Sequence, residues 1–276
     1  MAQTMDIAVS KNGKRVLNLW FALLVLFLYA PLGLLLLFSF NDNNLPVFPL
    51  RGFTTSAYEQ FAANAELKAS VVTSAKVAAI SSLIAVLLGL LAAITLVRRR
   101  VFGKSVASAL LLSPLVVPYI ALAIGLLVFF SQAPATFPLG MRTVVMGHVV
   151  LSIPYTILIL VPRFERLDVR IEEAARDLGA GAFQTFRLIT LPLILPALVS
   201  AFIVAFVLSF DEIIIASFVN GDITTFPIYL FSQLRFPTLL PQVIAVACVV
   251  MAASALILVG AEIGRRILER RLGAEL

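Results

Sequence analysis

Six apolar runs, each long enough to cross a lipid bilayer, constrain this chain more than any other feature. They cover roughly Val16–Phe40, Ser70–Val97, Val106–Ser131, Thr143–Val161, Leu193–Val219 and Leu239–Gly264. A hydrocarbon core of about 30 Å takes about 20 helical residues at about 1.5 Å each, and a helix satisfies its own backbone groups where there is no water to do so. The pattern predicts an all-α membrane protein of six transmembrane helices. Composition excludes a soluble fold: 61% of the 276 residues are hydrophobic and 13% charged, against about 45–50% and about 25% in soluble domains. No interval between the runs holds a soluble domain, so 1–276 reads as a single transmembrane domain. The polar stretch Met1–Ser10 has no cleavage signal, and the first run reads as a retained anchor.

Orientation follows from Lys and Arg. One set of loops carries Lys11, Lys14, Arg15, Arg98, Arg99, Arg100, Lys104, Arg163, Arg166, Arg170, Arg176, Arg187, Arg265, Arg266, Arg270 and Arg271. The opposite set carries Arg51, Lys68, Arg142 and Arg235, with Lys76 able to snorkel outward from the second run. Sixteen against four predicts that the first set and both termini are cytoplasmic. The same clustering accounts for the net charge of +6 without a nucleic-acid partner. A single cysteine, Cys248, excludes an intrachain disulfide and reads as apolar packing. His148 is the one histidine, has no second metal ligand at useful spacing, and reads as a satisfied buried side chain; no metal site is expected.

Between the fourth and fifth runs lies a polar, arginine-rich loop, 163–192. Asp168 reads as an N-cap for a short helix through Ala175, Gly179 as its stop, and a second helical run resumes at Phe183 and ends near Pro192. Within it stand Glu173-Ala174-Ala175, three residues, Gly179, nine residues, Ile189, one residue, and Leu191-Pro192. This spacing resembles the EAA loop of ATP-binding-cassette (ABC) importer permeases at every defining position. The resemblance implies the type I ABC importer permease fold. It makes the loop a cytoplasmic coupling helix that docks on a separate ATPase, with Glu173, Ala174, Ala175, Asp177, Gly179, Ile189, Leu191 and Pro192 as its coupling residues.

The fifth run carries Ser209-Phe210-Asp211-Glu212 inside apolar sequence. Each ionised acid near mid-membrane costs about 2.5–3.5 kcal/mol, so the pair must meet water, protein or a cation. Counted from the basic end of a continuous helix, Asp211 stands roughly 21–27 Å along it, toward the outer half. Adjacent helical positions diverge by about 100°, so one acid suffices for a pathway; a solvated or capping pair at the outer interface is the other reading. Residues 209–218 (SFDEIIIASF), Asp177-Leu178-Gly179-Ala180 and Ser39-Phe40-Asn41 resemble spermidine/putrescine permeases of the second-subunit type. So do Phe53-Thr54-Thr55 and Tyr58 in the first outer loop, Asn41–Ala69, which in that family faces a solute-binding protein. The resemblance implies a bacterial inner-membrane location, a second related permease, a dimeric ABC ATPase holding ATP and Mg, and an extracytoplasmic solute-binding protein. Ser209, Asp211 and Glu212 become candidates for a cation pathway. One departure is that Ser113-Pro114 is followed by Leu115 where that family carries an acid, which widens the substrate class to opines and amino-acid derivatives.

Gly103-Lys104-Ser105 resembles the end of a phosphate-binding loop, but Arg98 stands where the pattern needs glycine. The chain is therefore expected to bind no ATP and to be no enzyme. Small residues Ser81, Ser82, Gly89 and Gly125 suit close helix approach, and Pro114, Pro118 and Pro154 predict kinks. On residues alone, an ion-coupled secondary transporter using Asp211 or Glu212, and a membrane scaffold with no pathway, remain open.

Overall fold

The computed structural model describes residues 11–43, 45–99, 102–132 and 138–271; Met1–Ser10 and Arg100 lie outside them, as do the side chains of Lys11, Arg265, Arg266, Arg270 and Arg271. The helices are α1 (Lys11–Ser39), α2 (Ser56–Ala63), α3 (Ala65–Arg98), α4 (Lys104–Leu112), α5 (Tyr119–Ser131), α6 (Met141–Arg166), α7 (Val169–Asp177), α8 (Ala182–Thr185), α9 (Leu191–Phe210), α10 (Ile214–Val219), α11 (Phe226–Gln233) and α12 (Leu240–Arg271). The described residues hold no strand beyond an isolated bridge between Asn41 and Phe53. Five helical stretches are long and apolar enough to span a membrane, and a sixth span exists if α4 and α5 count as one broken crossing.

Two compact units divide the chain, one of Met1–Ala63 with Leu234–Val250, the other of Asn64–Gln233 with Met251–Leu276. In the first unit α1 leaves Trp20, Phe21 and Phe27 exposed, as lipid permits. The first outer loop of the sequence, Asn41–Ala69, contains α2 and the first turn of α3. Tyr58 on α2 places its hydroxyl 2.7 Å from the Ser39 hydroxyl at the end of α1.

The second unit is built on α3, α6 and α9. One face of α3 is small: Ser74, Ala78, Ser81, Ser82, Ala85, Gly89 and Ala93 are all buried. Lipid offers no hydrophobic drive for helix association, so close backbone approach supplies the contact. Gly89 marks the tightest point, where a Cβ would overlap the Thr156 side chain of α6. Thr156 donates across that crossing to the Ala85 carbonyl, 3.1 Å. Among the described residues nothing lies within 4 Å of where a Cβ on Gly125 would stand, so no helix of this chain makes there the close approach expected of it. Toward the basic end, Val86 and Ala93 of α3 cluster with Leu160 and Phe164 of α6 and Ile194 and Ala201 of α9. Toward the other end, Val77 meets Val144, Val149 and Leu151 of α6, Ala123 and Phe130 of α5, and Ile215 and Val219 of α10.

Three expectations are corrected. The third run is not one kinked helix: α4 and α5 meet at 102°, across a 3-10 turn at Ser113–Leu115 with Pro118 just before α5. Pro114 and Pro118, about one turn apart, each remove a helical donor, and the Ser113 hydroxyl donates to the Leu110 carbonyl at 2.8 Å. Pro154, by contrast, sits inside the unbroken α6. The fifth run is not one helix through the acids, because α9 stops at Phe210 and α10 begins at Ile214. Finally, the second helical run of the loop starts at Ala182 and does not end near Pro192. It passes through a π turn, Phe186–Thr190, directly into α9, with Pro192 in the first turn of α9. The Pro192 ring would press on the carbonyl four residues back, that of Leu188, and the widened turn contains that carbonyl.

Candidate functional site

The coupling segment begins where α6 ends. Asp168 accepts from the Arg170 backbone N–H at 3.0 Å and caps α7. At the far end the Gly179 N–H donates to the Arg176 carbonyl (2.9 Å) and the Ala180 N–H to the Ala175 carbonyl (3.0 Å), a Schellman closure. That closure puts Gly179 at φ +88°, left-handed territory that a Cβ disfavours. Glu172 and Ala175 form the buried face of α7. Glu173, Ala174, Asp177 and Gly179 are exposed, while Ile189, Leu191 and Pro192 are half-buried. Leu178, at 90% exposed, extends an apolar side chain from the end of α7.

The residue that fixes this helix is Glu172, which sequence reading passed over in favour of its neighbour. Its Oε1 accepts from the Thr190 hydroxyl (3.0 Å) and lies 3.3 Å from the Arg98 guanidinium. Arg98 in turn donates toward the Leu167 carbonyl at 3.4 Å. Arg163 on α6 donates twice to the Leu193 carbonyl of α9, at 3.1 and 2.7 Å. The segment is thus tied at its base to α3, α6 and α9, and its Glu173 face is left open. The i, i+3 spacing of Glu172 and Ala175 was the available signal; a partner 74 positions away was not.

The second cluster lies at the break between α9 and α10. Glu212 is buried and turns back over the start of α10. Its Oε1 accepts from the Ile215 N–H (2.9 Å) and its Oε2 from the Ala216 N–H (3.0 Å). His148 Nε2 stands 3.4 Å from Oε2. Its Nδ1 is 2.7 Å from the Ser209 hydroxyl, itself 2.8 Å from the Ser81 hydroxyl. The donor order that serves the carboxylate runs Ser81 to Ser209 to His148 Nδ1, leaving the imidazole N–H on Nε2 toward Glu212. Ser81, Ser209 and Glu212 are hydrogen-bonded here, while His148 Nε2 faces the Glu212 carboxylate without a formed hydrogen bond.

Asp211 is different. It is exposed, and with Glu212 and Tyr119 it lines a cavity of about 270 Å³ walled by Leu151, Val207, Leu208, Ile213 and Ile214. The Tyr119 hydroxyl lies 3.1 Å from that of Tyr155. A cation entering this cavity would meet an unspent carboxylate at Asp211 and a phenol at Tyr119. Ser209 and Glu212 are occupied in holding the break. Neither tyrosine carried a motif: Tyr119 comes to the site through the turn at Pro118, and Tyr155 of α6 reaches it through the Tyr119 hydroxyl. Among the described residues no cluster of His, Cys, Asp and Glu is arranged to hold a metal.

Comparison with known proteins identifies the family and the fold. Residues 85–273 match the family described as binding-protein-dependent transport system inner membrane component. The putrescine transport system permease protein PotI of Escherichia coli (strain K12) is 35% identical over 233 residues, 82% of this chain and 82% of that protein. The spermidine/putrescine transport system permease protein PotC of the same strain is 30% identical over 238 residues, 86% of this chain and 89% of its own length. Among solved structures, a bacterial ABC transporter involved in the import of the acidic polysaccharide alginate superposes with a TM-score of 0.68 at 15% identity, covering 90% of this chain and 97% of the matched one. An inward-facing MetNI methionine ABC transporter gives 0.59 at 18% identity, covering 74% and 96%. At such identities these two establish the fold alone, that of type I ABC importer permeases.

Proposed function

This chain belongs to the family of binding-protein-dependent transport system inner membrane components, and from that premise we propose that it couples a separate dimeric ATPase to the import of a small organic cation. In this reading the basic loops face the cytoplasm of a bacterium. ATP and Mg reside on the ATPase, a second related permease completes the membrane bundle, and a solute-binding protein delivers the substrate. A polyamine, or a related amine, opine or amino-acid derivative, is the proposed cargo. The names of PotI and PotC support the amine class, and the exposed Asp211 carboxylate in its cavity suits it.

The observation that carries the reading is the division of labour on α7. Glu172 is spent on Arg98 and Thr190, while Glu173, one residue on, is exposed. A helix so held can pass displacement from an ATPase groove into α3, α6 and α9, and its differential contact in two nucleotide states would bias the bundle between inward- and outward-open forms. Membership of this family favours that over an ion-coupled carrier or a scaffold, neither of which needs an EAA loop. The test is Glu173→Lys in the assembled transporter. Expected is an intact membrane bundle with uptake lost and ATPase attachment weakened; unchanged uptake and attachment would end the coupling role of Glu173.

A further inference from the structure

A second polar cleft lies at the basic end of the bundle, apart from the Asp211 cavity. It measures about 490 Å³ and is bounded by the end of α3, the end of α6, α7, α8 and the π turn. Arg98, Arg99 and Arg176 line it against one acid, Glu172, and its apolar wall includes Phe164 and Phe186. Three guanidiniums thus face one carboxylate that is already engaged by Arg98 and Thr190.

The unspent donors are what a ligand would use. Arg176 approaches Glu172 no closer than 3.8 Å and is 55% exposed, so that pairing is loose. Arg99 is exposed, and its side chain bonds to none of the described residues. Arg98 keeps an Nε–H that is buried without a partner among the described residues. Guanidinium forks match phosphate oxygens two at a time, and basic pockets at the cytoplasmic ends of membrane helices receive anionic headgroups.

We infer that this cleft is a binding site for a phosphate-bearing anion that bridges Arg176 on α7 to Arg99 at the end of α3. The positive-inside count puts the cleft at the headgroup level of the cytoplasmic leaflet, where phospholipid phosphates are the nearest source and free phosphate is the other. Phe164 and Phe186 offer the apolar wall that a glycerol ester would graze. Occupancy would fasten α7 to the bundle by a second tie, independent of Glu172.

The test is retention of phosphatidylglycerol against phosphatidylcholine by the full-length chain in its assembled complex, read by native mass spectrometry, with inorganic phosphate as competitor. Each arginine near an anionic surface contributes about a fivefold factor. Arg99→Gln should therefore lower the preference for phosphatidylglycerol about fivefold, Arg99→Gln with Arg176→Gln about 25-fold, and Arg99→Lys less than either. Retained phosphatidylglycerol that phosphate does not displace identifies the lipid as the source. Binding of phosphate itself, lost in the double variant, identifies the soluble anion. Either supports the site. Equal retention of both probes by wild type and by a double variant that still assembles overturns it.

Discussion

Removing the Glu172 carboxylate isolates the tie that holds the coupling helix. In Glu172→Ala the Thr190 hydroxyl loses a charged acceptor at 3.0 Å, worth about 1.5–3 kcal/mol. The Arg98 pair, 3.3 Å apart with side chains 16% and 12% exposed, lies between an exposed pair at about 0.2–1 kcal/mol and a fully buried one, and adds about 1–2 kcal/mol. Arg176, more than half exposed, adds little. The Thr190 and Arg98 contributions together come to about 2.5–5 kcal/mol, and the lower part of that range, about 3 kcal/mol, already raises the detached population of α7 by about two orders of magnitude, at about 1.4 kcal/mol per tenfold. Hydrogen exchange in the assembled transporter reads this directly. Amides of α7 should exchange about 100-fold faster, with those of α3 and α6 around Ala93 and Leu160 unchanged. Glu172→Gln, which keeps an acceptor for Thr190, should give about tenfold. Uptake per ATP hydrolysed should fall in the same order. Wild-type exchange in α7 of the alanine variant would refute the argument that Glu172 anchors the helix.

Asp211→Asn should lower uptake while leaving thermal stability within about 0.5 kcal/mol. Glu212→Ala, which strands the Ile215 and Ala216 N–H groups and His148, should cost about 2–4 kcal/mol in thermal unfolding; the reverse pattern would exchange their roles. Gly89→Ala should destabilise the α3–α6 crossing by about 1–3 kcal/mol, with Gly125→Ala as the neutral control, since none of the described residues stands within 4 Å there; equal melting of the two would contradict the close approach at Gly89. Gly179→Ala forces a left-handed alanine at φ +88°, at about 1–2 kcal/mol, and should weaken ATPase attachment measured by co-purification.

Each long span except the third and fifth was legible as one element, because membrane length and apolarity are local properties. The coupling helix was legible down to its Asp168 cap and its Gly179 stop, both set by neighbours in sequence. The breaks at Pro118 and Asp211 were harder. Proline in a membrane helix permits a kink or a turn, and the packing of α5 and α10 against one cluster on α6 selects the turn. Without that packing, Glu212 and Asp211 read as equivalent acids on one helix.

The sequence alone determined a six-run membrane chain, a basic face and a loop with the spacing of an ATPase-docking segment, since hydropathy, charge and motif spacing are written along the chain. Only the tertiary structure decided which acid is spent and which is free. Glu172 and Glu173, or Asp211 and Glu212, differ by one position in sequence. Their partners lie on other helices: Arg98 and Thr190 for Glu172, His148 for Glu212. A buried charge is set by what stands opposite it, and that is fixed only when the helices pack.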